Sequence, residues 1–187
     1  THYWDDLGAY RLLQNGRITH GFQYKEKDGT EDERSDWLVT YYTPDSGVGL
    51  AMELLRKEKM RVGVVGLGVG TLAGFAEKGD EFCFYDINPM VVDLSLNNQD
   101  GFNKKKGFTY CVNARARGAG VVIVLGDARL AMEHEKKTGQ LRDFDLIVLD
   151  AFSSDSIPVH LLTTESMNLY EDHLDAGGVE ALDRRAH

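Results

Sequence analysis

The chain has 187 residues, 42% of them hydrophobic, and a formal net charge of −9 at pH 7. It is long enough for one domain with a packed core, with or without a small appendage, and its acidity argues against a nucleic-acid partner. The six histidines are scattered and the two cysteines lack metal-ligand spacing, so we expect no metal site and a reducing compartment. We see no signal peptide and no apolar run long enough to span a membrane, which predicts a cytoplasmic protein with no membrane partner in this segment.

Residues 1–43 predict a small antiparallel β domain. The segments Tyr10–Gln14 and Arg17–Tyr24 are rich in aromatic and β-branched residues, and the Asn-Gly pair between them is typical of a two-residue hairpin turn. After a charged loop, Trp37–Tyr42 predicts a third strand of this unit.

Residues 44–187 predict a second domain in which apolar strands alternate with helices. The predicted strands are Arg61–Val65, Glu81–Tyr85, Val121–Leu125 and Asp145–Leu149. The predicted helices are Val48–Lys57, Thr71 to Gly79, Pro89 to about Leu96, a helix ending near Lys137, and Glu165 to Leu174. This alternation predicts a Rossmann-like α/β fold, with a doubly wound, mostly parallel sheet and helices on both faces.

Three glycines at alternate positions, Gly66, Gly68 and Gly70, follow the first of these strands. Glycine lets the backbone turn tightly and approach a ligand closely, because it has no Cβ. A strand, a glycine-rich turn and a helix begin the nucleotide crevice of Rossmann-like sheets. The pattern therefore predicts a nucleotide or nucleoside site at this turn.

Three of the strands end in an acid, namely Asp86, Asp127 and Asp150. Any one of these could cap a helix. Because the carboxyl ends of parallel strands meet at one edge of the sheet, we expect all three to share a hollow near Gly68. Three acids beside a glycine turn are harder to explain as caps alone.

Two stretches of the second domain lack a clear element. Asn97–Gly107 predicts a loop, and the residues from Gly177 to the end predict one short strand at most. A sheet of this type normally continues with further strands, so we expect C-terminal strands to be missing from this sequence.

Several motifs resemble those of the polyamine aminopropyltransferases, which comprise the spermidine synthases and the spermidine-synthase-like proteins. They are GLGVGTLA, FYDINP, VLGDAR, FDLIVLDAFSSDSIPVHLLT and, in the front part, RITHGFQY and TYYTPDSGVGLA. The resemblance covers nearly the whole chain. It implies the class I S-adenosylmethionine-dependent methyltransferase fold with a small β domain in front, and a possible homodimer.

The resemblance also implies a role for each matching residue. For the cofactor, Gly66, Gly68 and Gly70 would pass beneath it, Asp86 would hold both ribose hydroxyls, and Asp127 with Ala128 would contact the adenine. For the substrate, Asp155 would bind the amine, and Tyr41 or Tyr42 and Gln23 would line the site. Asp150 would be the catalytic base for aminopropyl transfer from decarboxylated S-adenosylmethionine to a polyamine such as putrescine, without a metal.

Departures from the family pattern leave alternatives open. Asp150 and Asp155 are five residues apart, where the family has three, and the proline that follows the second acid is displaced to Pro158. Methyl transfer from S-adenosylmethionine, or a catalytically inactive nucleoside-binding relative, would use the same fold. Val64 occupies the position two residues before the first glycine, where many methyltransferases have an acid, and this favours aminopropyl transfer. An NAD-dependent oxidoreductase would also use a glycine-rich turn and Asp86, but that class of enzyme does not account for the GDAR and LDAF sequences at the strand ends, so we rank it last.

Overall fold

A computed structural model describes residues 2–5, 8–15, 18–25, 32–40, 42–96, 107–151 and 157–182. The strands are β1 (His2–Asp5), β2 (Gly8–Asn15), β3 (Ile18–Lys25), β4 (Arg61–Val65), β5 (Glu81–Asp86), β6 (Gly120–Leu125), β7 (Phe144–Leu149) and β8 (Leu174–Leu182). The α-helices are α1 (Gly47–Leu54), α2 (Pro89–Leu96), α3 (Tyr110–Ala116), α4 (Ala128–Lys137) and α5 (Thr164–His173). Two short 3-10 helices span Thr71–Phe75 and Val159–Leu161.

Five strands form a parallel sheet in the order β6-β5-β4-β7-β8. The chain runs outward from β4 to β5 and β6, and then returns to add β7 and β8 on the other side of β4. The strand order therefore reverses between β4 and β7. In open sheets of this kind, ligands bind outside the carboxyl ends of the strands at such a reversal. The predicted Rossmann-like α/β fold is confirmed.

Helices cover both faces of this sheet, as predicted. Val64 and Val148 belong to one core, whereas their neighbours Val65 and Ile147 belong to the other. The first core is closed by α1, α3 and the first 3-10 helix, and the second by α4 and α5. Because β7 is covered on both faces, every one of its residues is buried, which explains its nearly unbroken apolar sequence.

A buried polar network lies against the second core. Glu135 of α4 is 6% exposed, and its carboxylate accepts hydrogen bonds from Tyr85 Oη (2.8 Å) and from Arg142 Nε (3.0 Å). The hydrogen bonds to Glu135 raise the pKa of Arg142 well above its ordinary value. Tyr85 is the residue before Asp86 on β5, so the network ties α4 to the strand that carries this acid.

The front part forms a three-stranded antiparallel sheet in the order β1-β2-β3. The pairing of β2 with β3 confirms the predicted hairpin strands. The third strand predicted over Trp37–Tyr42 is wrong, because Trp37–Val39 has no strand pairing and Thr40 lies in a turn. The segment is held through its backbone, since Tyr110 Oη donates to the Trp37 carbonyl at 2.7 Å; Val39 is buried, whereas the Trp37 side chain is 57% exposed.

The helix predicted from Thr71 to Gly79 is also corrected, because only the 3-10 helix Thr71–Phe75 forms. Its carbonyl groups at Ala73 and Gly74 face the guanidinium of Arg117 at 3.3 and 3.5 Å instead of continuing an α-helical ladder.

Two further elements differ from the sequence-based expectation. The helix α3 was not predicted at all, and it packs against the first 3-10 helix.

The last predicted helix ends at His173, and β8 begins at once, so Gly177 and Gly178 lie within a strand. At Gly178 a Cβ would lie 2.6 Å from the Phe144 carbonyl, and glycine therefore permits the close approach of β8 to β7. Most of the predicted loop Asn97–Gly107 lies outside the described residues.

Candidate nucleoside site

Backbone hydrogen bonds hold the carboxyl ends of the central strands level with one another. The amide of Asp150 donates to the Val65 carbonyl at 2.8 Å, which joins the end of β7 to the end of β4. The amide of Gly126 donates to the Asp86 carbonyl at 2.8 Å, which joins the end of β6 to the end of β5. Residues that directly follow these strands are consequently brought to one edge of the sheet.

A cavity of about 490 Å³ opens at this edge, above the point where the strand order reverses. This volume lies in the range of roughly 300–1,000 Å³ that is typical of small-molecule sites. The sequence-predicted residues that line it are Gly66, Gly68, Asp86, Asp127, Ala128 and Asp150. The structure therefore brings the three strand-end acids and two of the three glycines into one hollow.

The floor of the cavity is bare backbone. Gly66 has φ 105°, and a Cβ there would lie 2.7 Å from the carbonyl oxygen of Asp150. A Cβ at Gly68 would lie 2.8 Å from the carbonyl oxygen of His20 on β3. Beside it, a Cβ at Gly21 would lie 2.7 Å from the side chain of Val69. The glycine turn is thus enclosed between the end of β7 and the front sheet.

We expect Gly66→Ala to lower the free energy of unfolding by about 3 kcal/mol, since the new side chain combines an unfavourable φ with a clash against fixed backbone. Chemical denaturation followed by circular dichroism measures this. Gly139→Ala is the matched control: Gly139 also has positive φ (70°), but a Cβ there meets nothing within 4 Å, so about 1 kcal/mol is expected. Equal losses in the two variants would show that crowding at Gly66 is unimportant.

The carboxylate of Asp86 reaches from the end of β5 to the glycine turn. Its Oδ2 accepts a hydrogen bond from the amide of Leu67 at 2.9 Å, and its Oδ1 accepts one from the amide of Asn88 at 2.8 Å. Both oxygens are thereby fixed in position. Each carboxylate oxygen has a further lone pair, so Asp86 can still accept hydrogen bonds from a ligand.

Asp127 caps the N-terminus of α4. Its Oδ1 accepts from the amide of Leu130 at 3.0 Å, and its Oδ2 lies 2.9 Å from Nε2 of His160. Burial alone would raise the pKa of Asp127, but the hydrogen bonds from Leu130 and His160 outweigh it and hold that pKa below its ordinary value. Asp127 is therefore an anionic acceptor at the edge of the cavity.

Asp150 follows β7 directly and stands over Gly66 at the strand reversal. Asp150 is partly buried, and it lines the cavity together with the glycine turn and Ala151. Two predicted substrate residues, Asp155 and Tyr41, lie outside the described residues.

Three predicted site residues do not line the cavity. Gly70 has φ 83° and lies against Cys111, whose sulfur a Cβ would approach to 2.8 Å. Gln23 is fully buried; its amide donates to Thr109 Oγ1 at 2.8 Å and accepts from the Thr109 amide at 2.9 Å. Tyr42 is buried in the first core. The structure thus gives these residues packing roles, and Gln23 joins the front sheet to α3.

Two histidines that the sequence left without a role line the cavity, namely His20 from β3 and His160 from the second 3-10 helix. The direction of a single strand or loop side chain has no signature in one sequence, which is why neither was assigned. Among the described residues, no lysine or arginine lines the cavity. Its charged groups are therefore the three carboxylates, together with any protonated histidine.

No group of three or more His, Cys, Asp or Glu side chains in the described ranges is arranged to hold a metal ion. No helix in the same ranges is both long and apolar enough to cross a membrane.

The chain is similar in structure to a probable spermidine synthase from Corynebacterium glutamicum, with a TM-score of 0.60 and 18% sequence identity. The match covers 97% of this chain and 62% of that protein, so this chain spans less than two thirds of its length. No profile of a known protein family matches the sequence, and no curated protein matches it either. At this identity the likeness shows the fold, which is a distant spermidine-synthase-like one.

Proposed function

We propose that this protein transfers an aminopropyl group from decarboxylated S-adenosylmethionine to an amine of a polyamine such as putrescine. One observation carries the proposal: Asp86, Asp127 and Asp150 line a single cavity above a glycine turn, and no lysine or arginine lines it in the described part of the chain. Such a cavity suits a ligand that carries positive charge. Both proposed reactants do, one as a sulfonium and the other as an ammonium.

The charge of the cavity also favours the decarboxylated co-substrate over S-adenosylmethionine itself. The two molecules differ by a carboxylate, which would sit among three acids without a cationic side chain from the described lining. The same reasoning disfavours a dinucleotide, whose pyrophosphate brings further negative charge. An aminopropyl donor has only cationic groups outside the nucleoside, and these pair with carboxylates through charge-assisted hydrogen bonds.

The residues divide between the two halves of the proposed donor. Gly66 and Gly68 let the end of β7 and the front sheet approach the glycine turn closely, and this turn lines the cavity beneath the proposed ligand. We assign the ribose hydroxyls to Asp86 at the end of β5, whose carboxylate is already held beside the glycine turn by the Leu67 amide. Asp127 and Ala128, at the start of α4, form the side of the cavity proposed for the adenine.

The proposed reaction is a displacement at carbon. The amine nitrogen attacks the methylene carbon attached to the sulfonium; the new C–N bond forms while the C–S bond breaks, and its electron pair stays on sulfur, which leaves as a neutral thioether. The amine is an ammonium ion at pH 7 and must lose a proton before it can attack. Asp150 holds the ammonium and accepts that proton. Alignment of the amine with the sulfonium supplies a further part of the acceleration.

The test offers the protein a choice of donors. It is incubated with labelled decarboxylated S-adenosylmethionine or labelled S-adenosylmethionine, each with putrescine and longer diamines, and the products are identified by mass. We expect an aminopropylated amine from the decarboxylated donor alone. Methylated product from S-adenosylmethionine would instead support a methyltransferase. Tight binding of 5′-methylthioadenosine without product from either donor would support a catalytically inactive relative.

A further inference from the structure

The imidazole of His160 contacts the acid proposed to bind the base. Its Nε2 lies 2.9 Å from Oδ2 of Asp127, and the side chain is 51% exposed at the rim of the cavity. An ionised carboxylate can only accept hydrogen bonds, so the imidazole donates from Nε2. This contact was not foreseen from the sequence, in which the two residues are 33 positions apart.

His160 is held in place through its backbone. Its carbonyl oxygen accepts from Ser166 Oγ at 2.6 Å and from a guanidinium nitrogen of Arg129 at 3.3 Å. The first of these donors belongs to α5 and the second to α4. The imidazole is therefore presented to Asp127 from a fixed support.

The Leu130 amide and the His160 imidazole each donate one hydrogen bond, the first to Oδ1 and the second to Oδ2 of Asp127. Two such bonds fix the plane of the carboxylate. Each oxygen retains a lone pair for a donor in the cavity. A 6-aminopurine offers an N–H donor at its exocyclic position, whereas a 6-oxopurine offers an oxygen that would repel the carboxylate.

We propose that His160 is a positioning residue of the nucleoside site: it orients Asp127 to accept a hydrogen bond from the 6-amino group of a purine nucleoside, and so sets a preference for 6-amino over 6-oxo purines. This inference rests on the nucleoside site of the proposed function. It does not depend on which group the protein transfers.

The arrangement has a consequence for the pH dependence of binding. The charged and titratable groups around Asp127 are Arg129 on its own helix, His160, Tyr170 of α5 and, across the cavity, Asp86 and Asp150. Removing the imidazole removes a hydrogen bond that lowers the pKa of Asp127, so this pKa rises and the carboxylate is lost at a higher pH. Nucleoside binding that needs the Asp127 carboxylate therefore weakens at a higher pH in a variant without the imidazole than in the wild type.

Calorimetric titration of the whole chain tests the inference, with 5′-methylthioadenosine and 5′-methylthioinosine as probes over the pH range in which carboxylates and histidines titrate. We expect His160→Ala to weaken binding of the adenosine probe about tenfold. We expect the ratio of the affinities for the adenosine and inosine probes to fall in this variant. We also expect the pH below which binding of the adenosine probe is lost to be higher than in the wild type. His160→Gln, whose amide can donate to the same oxygen, should keep most of the affinity. The exposed His134→Ala on α4 is the matched control and should bind like the wild type.

Other results would overturn the inference. Unchanged affinity in His160→Ala would do so, as would a loss of affinity with the same purine preference and an unmoved acid limb, because a merely structural role predicts that pattern. Melting temperatures of all variants show whether folding is intact. A wild type that binds neither probe would overturn the nucleoside site and the inference together. A wild type that binds the probes but fails to transfer aminopropyl groups would count against the proposed function alone.

Discussion

Replacement of Asp150 by Asn is expected to slow the proposed aminopropyl transfer by about 10²–10⁴-fold while leaving nucleoside binding close to that of the wild type. Asparagine keeps the size of the side chain, but it has no negative charge to hold an ammonium and no basic oxygen to accept its proton. Asp150 lines the cavity at the end of β7, where the strand order reverses. Single-turnover rates with decarboxylated S-adenosylmethionine and putrescine, with calorimetry on 5′-methylthioadenosine, measure both effects.

The same strand supplies a matched control. Asp143 directly precedes β7 at its opposite end, and its exposed carboxylate pairs only loosely with Arg61 at 3.4 Å. Its φ of 49° is a conformation that Asn adopts readily. Asp143→Asn should therefore transfer at the wild-type rate. If Asp150→Asn does the same, or if it loses nucleoside binding along with turnover, Asp150 is not the base.

Replacement of Arg142 by Ala is expected to lower the free energy of unfolding by about 2–4 kcal/mol, since it leaves the buried carboxylate of Glu135 without its cationic partner. The lower part of this range allows for screening by water, because the Arg142 side chain is 33% exposed. Urea denaturation monitored by circular dichroism measures the loss. The slope of the transition should not change, because the folded state stays compact.

Arg61→Ala is the control for this variant. It removes a side chain of similar exposure (36%), but the carboxylate that is left unpaired, Asp143, is 55% exposed instead of buried, so about 0–1 kcal/mol is expected. If the two variants were equally stable, the network around Glu135 would contribute no more than a surface pair. Loss of 5′-methylthioadenosine affinity in Arg142→Ala, measured where the variant remains folded, would further show that the network supports Asp86 through Tyr85.

The parallel strands were predictable because each combines an apolar run with a clear stop. The bounds predicted for β4, Arg61–Val65, are those of the structure. In the structure, β5, β6 and β7 are each one residue longer than the predicted strand. A strand between two cores needs apolar side chains on both faces, and the glycine or acid that follows marks where the chain leaves the sheet. The strand-end acids could be placed for the same reason.

The errors fell where composition does not determine pairing or packing. Trp37–Val39 has the composition of a strand, but its backbone is held by the Tyr110 hydroxyl of α3 instead of pairing in a sheet, and the Trp37 side chain is 57% exposed. The helix α3 itself has only seven residues, too few for a periodic pattern to stand out. Its start is held by the amide of Gln23, a contact across 86 positions that no local pattern encodes.

The candidate site was only partly predictable for a related reason. Asp86, Asp127 and Asp150 follow from backbone topology alone, since each lies at the last residue of a strand or within two residues after it. Gly70 and Gln23 depend on what their neighbours place against them: Gly70 lies against Cys111, and Gln23 donates to Thr109. Residues of this second kind become assignable only once tertiary contacts are known.

The close fit of Gly21 against Val69, and of Gly68 against the backbone of His20, limits how this fold can be recombined. A chimaera that grafts a relative's front sheet onto this core would have to transplant the hairpin and the glycine turn as one unit. A graft that introduced a side chain at either glycine would wedge the two parts open above the cavity floor. Libraries aimed at new ligands for the cavity should therefore keep these four residues together and vary the residues at its rim.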